Sequence, residues 1–192
     1  IEIGQSRTDT NSYREYALML RQVVMRYGSK KYPDRLLNVD TSARWTGDKN
    51  EKKSGLNLLK FIQYGNEEKI WKQGTPEYWA PEELAAMMSI CYDYIKATDP
   101  NMIVVSPCLS NAYMPYFQAL DDWFKKNRKN KDWPCDIISC NYYLNKGNAD
   151  GQFLGQWVMN GGCRPSEDKG FFRVKQLADF CAARGKKLWF TE

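Results

Sequence analysis

Two apolar segments of the sequence each break off into polar residues and then a glutamate: LLKFIQYGNE ends at Glu67 and KKLWFTE ends at Glu192. This is how a buried parallel strand reads where it emerges at its C-terminal edge. In barrel enzymes that edge carries the chemistry. Two carboxylates delivered to one rim can act on a glycosidic bond, one as proton donor and one as nucleophile. The nucleophile must be ionised and the donor must hold its proton, so two chemically equal glutamates need unlike surroundings. The two lie far apart in the chain, and a barrel-like fold is what would bring them together.

Other polar residues stand at the same kind of position. Asn66 precedes Glu67, Asn141 is followed by Tyr142 and Tyr143, and Thr191 precedes Glu192. Strand alternation sends Tyr142 and Tyr143 to opposite sides, so one of them at most faces a site. If Ile138 and Cys140 face inward, Tyr142 shares their side. Trp71, Trp79 and Trp157 fall in segments that read as loops after strands, where a flat apolar ring suits the C–H face of a sugar or packs over the rim. Trp189, inside an apolar run, reads as core.

The six cysteines form no CxxC pair and the chain has no histidine, so a metal site lacks both its usual spacing and a usual ligand. Most of the cysteines read as buried small hydrophobes. No GxGxxG or GxxxxGK[ST] turn is present, which leaves nucleotide binding without support. No organic cofactor is expected.

The elements that must position these residues alternate strictly. A helix is predicted from Ser12 to Gly28, with Ser12 and Glu15 spaced as a capping box. A polar stretch, Ser29 to Ser54, follows; its length marks a functional loop or an insertion. Then come a strand over Leu56 to Tyr64 and a helix opening at Pro81, with Leu84, Met87, Met88, Cys91, Tyr94 and Ile95 on its buried face and Asp99 and Pro100 as its stop. A strand over Met102 to Ser106, a helix over Tyr116 to Lys126, a strand over Asp136 to Asn141, a helix over Asp168 to Arg184 and a strand over Lys187 to Thr191 complete the order. Helices alternating with short apolar strands imply right-handed crossovers and a parallel sheet. Four strands do not close a barrel. The fold class is therefore α/β, either an open doubly wound sheet or an incomplete eight-stranded TIM barrel.

At 192 residues, with 43% hydrophobic and 27% charged residues, the chain suits one globular domain, residues 1–192. No apolar run approaches the roughly 20 residues that cross a bilayer, so no membrane partner is expected. Net charge is +5, but the basic residues cluster at a polar helix end (Lys125, Lys126, Arg128, Lys129, Lys131) rather than in a stripe interleaved with aromatics, which argues against nucleic acid. The chain begins at Ile1 and ends at Glu192, and reads as a piece of a longer protein. Its compartment is therefore not legible.

GNE after one strand, NYY after another and WFTE after a third resemble the fourth, sixth and seventh barrel strands of the clan A retaining glycoside hydrolases. The resemblance spans nearly the whole chain, about the third helix to the seventh strand of a (β/α)8 barrel, and picks out no family within the clan. It implies Glu67 as general acid/base, Glu192 as nucleophile, Asn66 as a donor to the sugar 2-hydroxyl, and Tyr142 or Tyr143 as a hydrogen-bond donor to the nucleophile. It also implies an oligosaccharide, polysaccharide or glycoside substrate, no cofactor, and a secreted or periplasmic setting. The sequence departs from the clan pattern in having Gly65 before the Asn-Glu pair and Glu68 after it, which leaves Glu68 as the alternative acid/base. The competing readings are a non-catalytic carbohydrate-binding barrel and an unrelated α/β binding domain.

Overall fold

The structure is a computed structural model and describes residues 6–39, 51–66, 73–109, 112–141 and 171–191. Its regular elements are α1 (Arg14–Tyr27), β1 (Phe61–Gln63), α2 (Pro81–Thr98), β2 (Ile103–Val105), α3 (Met114–Asn127), β3 (Ile137–Cys140), α4 (Phe171–Ala182) and β4 (Lys187–Phe190). The strands form one four-stranded sheet in the order β1-β2-β3-β4. β2 pairs with β3, and β3 with β4, in parallel. This is the α/β architecture that the alternation predicts. The chain divides into two compact units, Ile1–Ile62 with Ala86–Val104 and Gln63–Ala85 with Val105–Glu192.

In the first unit, α1 buries Ala17, Leu20, Val24 and Met25, and the α2 residues Met88, Cys91 and Ile95 are likewise buried. The helix begins differently from the expected capping box. A 3-10 turn, Thr10–Tyr13, leads directly into α1, and Asp9 caps it by accepting from the Asn11 N–H. Ser12 instead donates its hydroxyl to the Ser6 carbonyl at 2.6 Å. The cap therefore sits one turn earlier, because Asp9 reaches the free N–H groups of the 3-10 turn first.

Gly28 does end α1, though with an extended φ of −75° rather than a left-handed one. Its reason is space. A Cβ there would lie 2.6 Å from the Val24 carbonyl oxygen and 2.7 Å from Asp99 Oδ2. That carboxylate accepts from the Ser29 N–H and hydroxyl. Burial works to raise its pKa, but the bonds from Ser29 and Asn101, with Lys30 nearby, hold it below the usual carboxylate value.

The strand predicted from Leu56 shortens to Phe61–Gln63. The N–H groups of Gly55, Leu56, Leu58 and Leu59 go to the carbonyls of Met25, Arg26 and Tyr27, and that of Asn57 goes to Gly28. These are the carbonyls a helix end leaves without partners, and the apolar run covers them before it becomes a strand. Of the polar stretch after α1, the described part is tied down as well: Tyr32 donates its hydroxyl to the Thr98 carbonyl, and its N–H to Ser54 Oγ.

The second unit is built on β3, whose four residues are all buried. Phe117, Leu120 and Phe124 of α3, Leu177 and Phe180 of α4, and Trp133 are buried with it. Trp133 meets Phe124, Phe180 and Phe117 at ring-centroid distances of 5.1, 5.7 and 6.3 Å. Beside this aromatic cluster lies Asp121 of α3, almost fully buried. It accepts two bonds of 2.6 Å from the Arg184 guanidinium, one of 2.8 Å from Trp133 Nε1, and an ion pair at 2.7 Å from Lys125. Burial pushes its pKa up, but these donors outweigh burial and hold it far below the ordinary value. After α4 the chain turns at Gly185, whose φ is +64°, a left-handed value suited to glycine past a helix end.

Trp189 is not core. It is 39% exposed and Phe190 43%, because β4 is the last strand in the sheet order and, among the described residues, pairs with β3 alone. At the other end of that order, Phe61 of β1 is exposed as well.

Candidate functional site

Of the polar residues that the sequence pointed to, Asn66, Asn141 and Thr191 are described; they follow β1, β3 and β4 and lie within the second unit. β3 and β4 run in register, with Ile137 opposite Lys187 and Cys140 opposite Phe190. The next residues, Asn141 and Thr191, therefore leave the sheet side by side. The Thr191 hydroxyl donates to Asn141 Oδ1 at 2.8 Å, and the Thr191 N–H to the Cys140 carbonyl at 3.3 Å. Cys108, three residues past β2, joins them: its thiol lies 2.6 Å from the same Asn141 oxygen and 3.1 Å from Thr191 Oγ1. Asn141 and Cys108 are fully buried, and Thr191 is exposed.

One layer nearer the sheet, Ser106 and Ser139 repeat the pattern. Ser139 donates its hydroxyl to the Ser106 carbonyl at 2.8 Å, and its N–H to Ser106 Oγ at 2.9 Å. Both are buried. Polar side chains inside a sheet layer are tolerated because each is bonded to a neighbouring strand.

The end of β1 is tied to the end of β2 through Gly65. Its carbonyl accepts from the Cys108 N–H at 3.3 Å. Its φ is +100°, in a range that residues with a Cβ rarely adopt. A glycine before Asn66 is thus a conformational requirement of this turn. Asn66 follows and is exposed.

Of the residues singled out by sequence, Asn66, Trp79, Asn141, Trp189 and Thr191 are described. Glu67, Glu68, Trp71, Tyr142, Tyr143, Trp157 and Glu192 lie outside the described residues. Alternation does not choose between Tyr142 and Tyr143, because Ile137 and Ser139 are as deeply buried as Ile138 and Cys140. Trp79 is half-buried before α2, and its carbonyl accepts the Tyr116 hydroxyl at 2.8 Å.

Cys91, Cys108, Cys135, Cys140 and Cys181 are free thiols and buried, as expected of small hydrophobes. Burial pushes the Cys91 thiol up to about 12 and, against the pull of Arg184, that of Cys181 to about 11, which leaves little thiolate for nucleophilic work. Cys108 is the residue that sequence reading missed. Nothing in its spacing distinguishes it from the other cysteines, and its partners Asn141 and Thr191 come from distant parts of the chain. Among the described residues no group of His, Cys, Asp or Glu is placed to hold a metal ion, and no helix is long and apolar enough to cross a membrane.

No family model matches the chain, and no curated protein does. A solved structure, AbfB, a family 51 alpha-L-arabinofuranosidase from Bifidobacterium longum, is similar to it with a TM-score of 0.47 at 17% identity; the match covers 91% of this chain. The chain spans 32% of the length of that neighbour.

Proposed function

We propose that this chain is part of a retaining glycosidase barrel, a single catalytic domain in which Glu67 and Glu192 do the chemistry. The observation that supports this reading is the strand order β1-β2-β3-β4, with β2, β3 and β4 parallel. Chain positions just past β1 and just past β4 then belong to one edge of a sheet, and the two glutamates occupy those positions in sequence. In the first step the Glu192 carboxylate attacks the anomeric carbon while Glu67 gives its proton to the departing glycosidic oxygen. In the second, Glu67, now a carboxylate, takes a proton from water as that water attacks the same carbon and releases Glu192. Asn66 donates to the sugar 2-hydroxyl, and Tyr142 or Tyr143 keeps the nucleophile ionised by hydrogen bonding. Trp71 and Trp157 stack on sugar rings. The scheme uses no metal and no organic cofactor.

A panel of aryl glycosides, offered to the protein that carries this sequence, tests the proposal. Hydrolysis of at least one of them is expected, with proton NMR showing the first-formed sugar at its original anomeric configuration. An inverted first product would refute the retaining scheme. Saturable sugar binding without turnover would favour the non-catalytic barrel.

A further inference from the structure

Cys108, Asn141 and Thr191 follow β2, β3 and β4, and their side chains meet at one oxygen. Asn141 Oδ1 lies 2.6 Å from the Cys108 thiol and 2.8 Å from the Thr191 hydroxyl, and the thiol lies 3.1 Å from that hydroxyl. Neighbouring strands stand about 4.8 Å apart, so strands two places apart in a flat sheet stand about 10 Å apart. Side chains that leave the ends of β2 and β4 and touch therefore require the sheet edge to curl toward the face that carries them. Thr191 stands on that concave face and is exposed, whereas Cys108 and Asn141 are fully buried. The C-terminal edge is where parallel α/β sheets bind ligands, whether they close into a barrel or stay open. Hydrogen-bond polarity says what Thr191 offers there. A carboxamide oxygen only accepts, so the thiol and hydroxyl protons both turn toward Asn141 Oδ1. The Thr191 oxygen keeps its lone pairs for a donor from outside the protein. A buried thiol and amide contribute little net stability over an apolar packing of the same shape, so a fixed hydroxyl orientation is what the set supplies.

We infer that Thr191 is a ligand-contacting residue, its hydroxyl oxygen accepting a hydrogen bond from a ligand hydroxyl at the concave C-terminal edge of β4. The identity of the ligand rests on the glycosidase reading: the donor is a ring hydroxyl of the bound sugar, other than the 2-hydroxyl that Asn66 serves. Cys108 and Asn141 touch no ligand. They hold the Thr191 hydroxyl in its accepting orientation.

The test is a cycle between protein and ligand, made with the protein that carries this sequence. Wild type, Thr191→Val, Thr191→Ala and Thr191→Ser are assayed on a hydrolysed aryl glycoside and on analogues in which one ring hydroxyl other than the 2-hydroxyl is replaced by fluorine, which cannot donate. Fluorine also slows the chemistry itself, and that effect cancels in the ratio between proteins. On the parent glycoside kcat/KM should fall roughly fivefold in Thr191→Val and Thr191→Ala, with Thr191→Ser near wild type. On one analogue, the one lacking the partner hydroxyl, all four proteins should be equal. A loss in Thr191→Val and Thr191→Ala that is the same on the parent and on every analogue would show that the hydroxyl serves the protein alone and would overturn the inference. Where no aryl glycoside is hydrolysed, wild-type protein carrying 15N-threonine is titrated with the methyl glycosides and their fluorinated analogues. A saturable shift of the Thr191 amide signal, weakened by one fluorine position, would then overturn turnover and leave the acceptor standing. No shift with any of them would overturn both.

Discussion

Under the proposed scheme the two carboxylates have different tasks and should respond differently to loss. Glu192→Ala should remove turnover on every substrate, because no group remains to form the covalent intermediate. Glu67→Ala should keep measurable rates on aryl glycosides with good leaving groups, which need little protonation, and added azide should raise those rates by replacing water in the second step. Steady-state kinetics with and without azide read both outcomes. Azide rescue of Glu68→Ala, with Glu67→Ala nearly silent, would move the acid/base one residue along. The same scale holds Asn141, whose amide oxygen serves two neighbours. Its sequence signature was only its place at the end of an apolar run.

At the scale of elements, the turn after β1 and the tie between α3 and the end of α4 each make a prediction. Gly65 has a φ of +100°, so Gly65→Ala should cost about 1–3 kcal/mol of stability, read as a lower denaturant midpoint. Asp121 is buried under Arg184, Lys125 and Trp133. Asp121→Asn should therefore destabilise by about 3 kcal/mol, since it leaves a partly buried guanidinium without its counter-charge. The pH dependence follows from the direction of its shift. The folded-state pKa is depressed, so its contribution is fully present above the unfolded value of about 3.9 and is lost as pH falls toward the lower folded value. Urea midpoints should drop below pH 4 in the wild type and drop less steeply in Asp121→Asn.

The helices and strands were legible because their patterns are local: the apolar spacing of Leu84 to Ile95 and the run Ile137 to Cys140 each fixed an element's type. Boundaries set by distant partners were not. Leu56 to Leu59 read as strand, yet their N–H groups serve the end of α1. Trp189 read as core, yet among the described residues its strand is paired on one side alone. Ser12 read as a cap because its spacing to Glu15 is correct, and Asp9 took the role one turn earlier. Of the candidate site, sequence gave residue types and strand ends, while the hydrogen bonds that join those ends depend on residues from separate crossovers.

At the scale of the whole molecule, the retaining scheme requires that the edge formed by the strand ends belong to a closed barrel in the protein that carries this sequence. A crystal structure of that protein should then place the carboxyl groups of Glu67 and Glu192 about 5 to 5.5 Å apart, the span that allows direct attack on the anomeric carbon. A span near 9 Å would instead leave room for an attacking water and point to inversion. The most direct measurement is covalent trapping of the glycosyl-enzyme with a 2-deoxy-2-fluoro glycoside of whichever sugar is hydrolysed, followed by intact-mass and peptide mass spectrometry. The fluorine slows the second step, so the intermediate accumulates. The account predicts a mass increase of one fluoroglycosyl group per chain, carried on Glu192 and absent in Glu192→Ala; a label on any other residue, or full turnover of the parent glycoside with no covalent adduct under any condition of trapping, would contradict it.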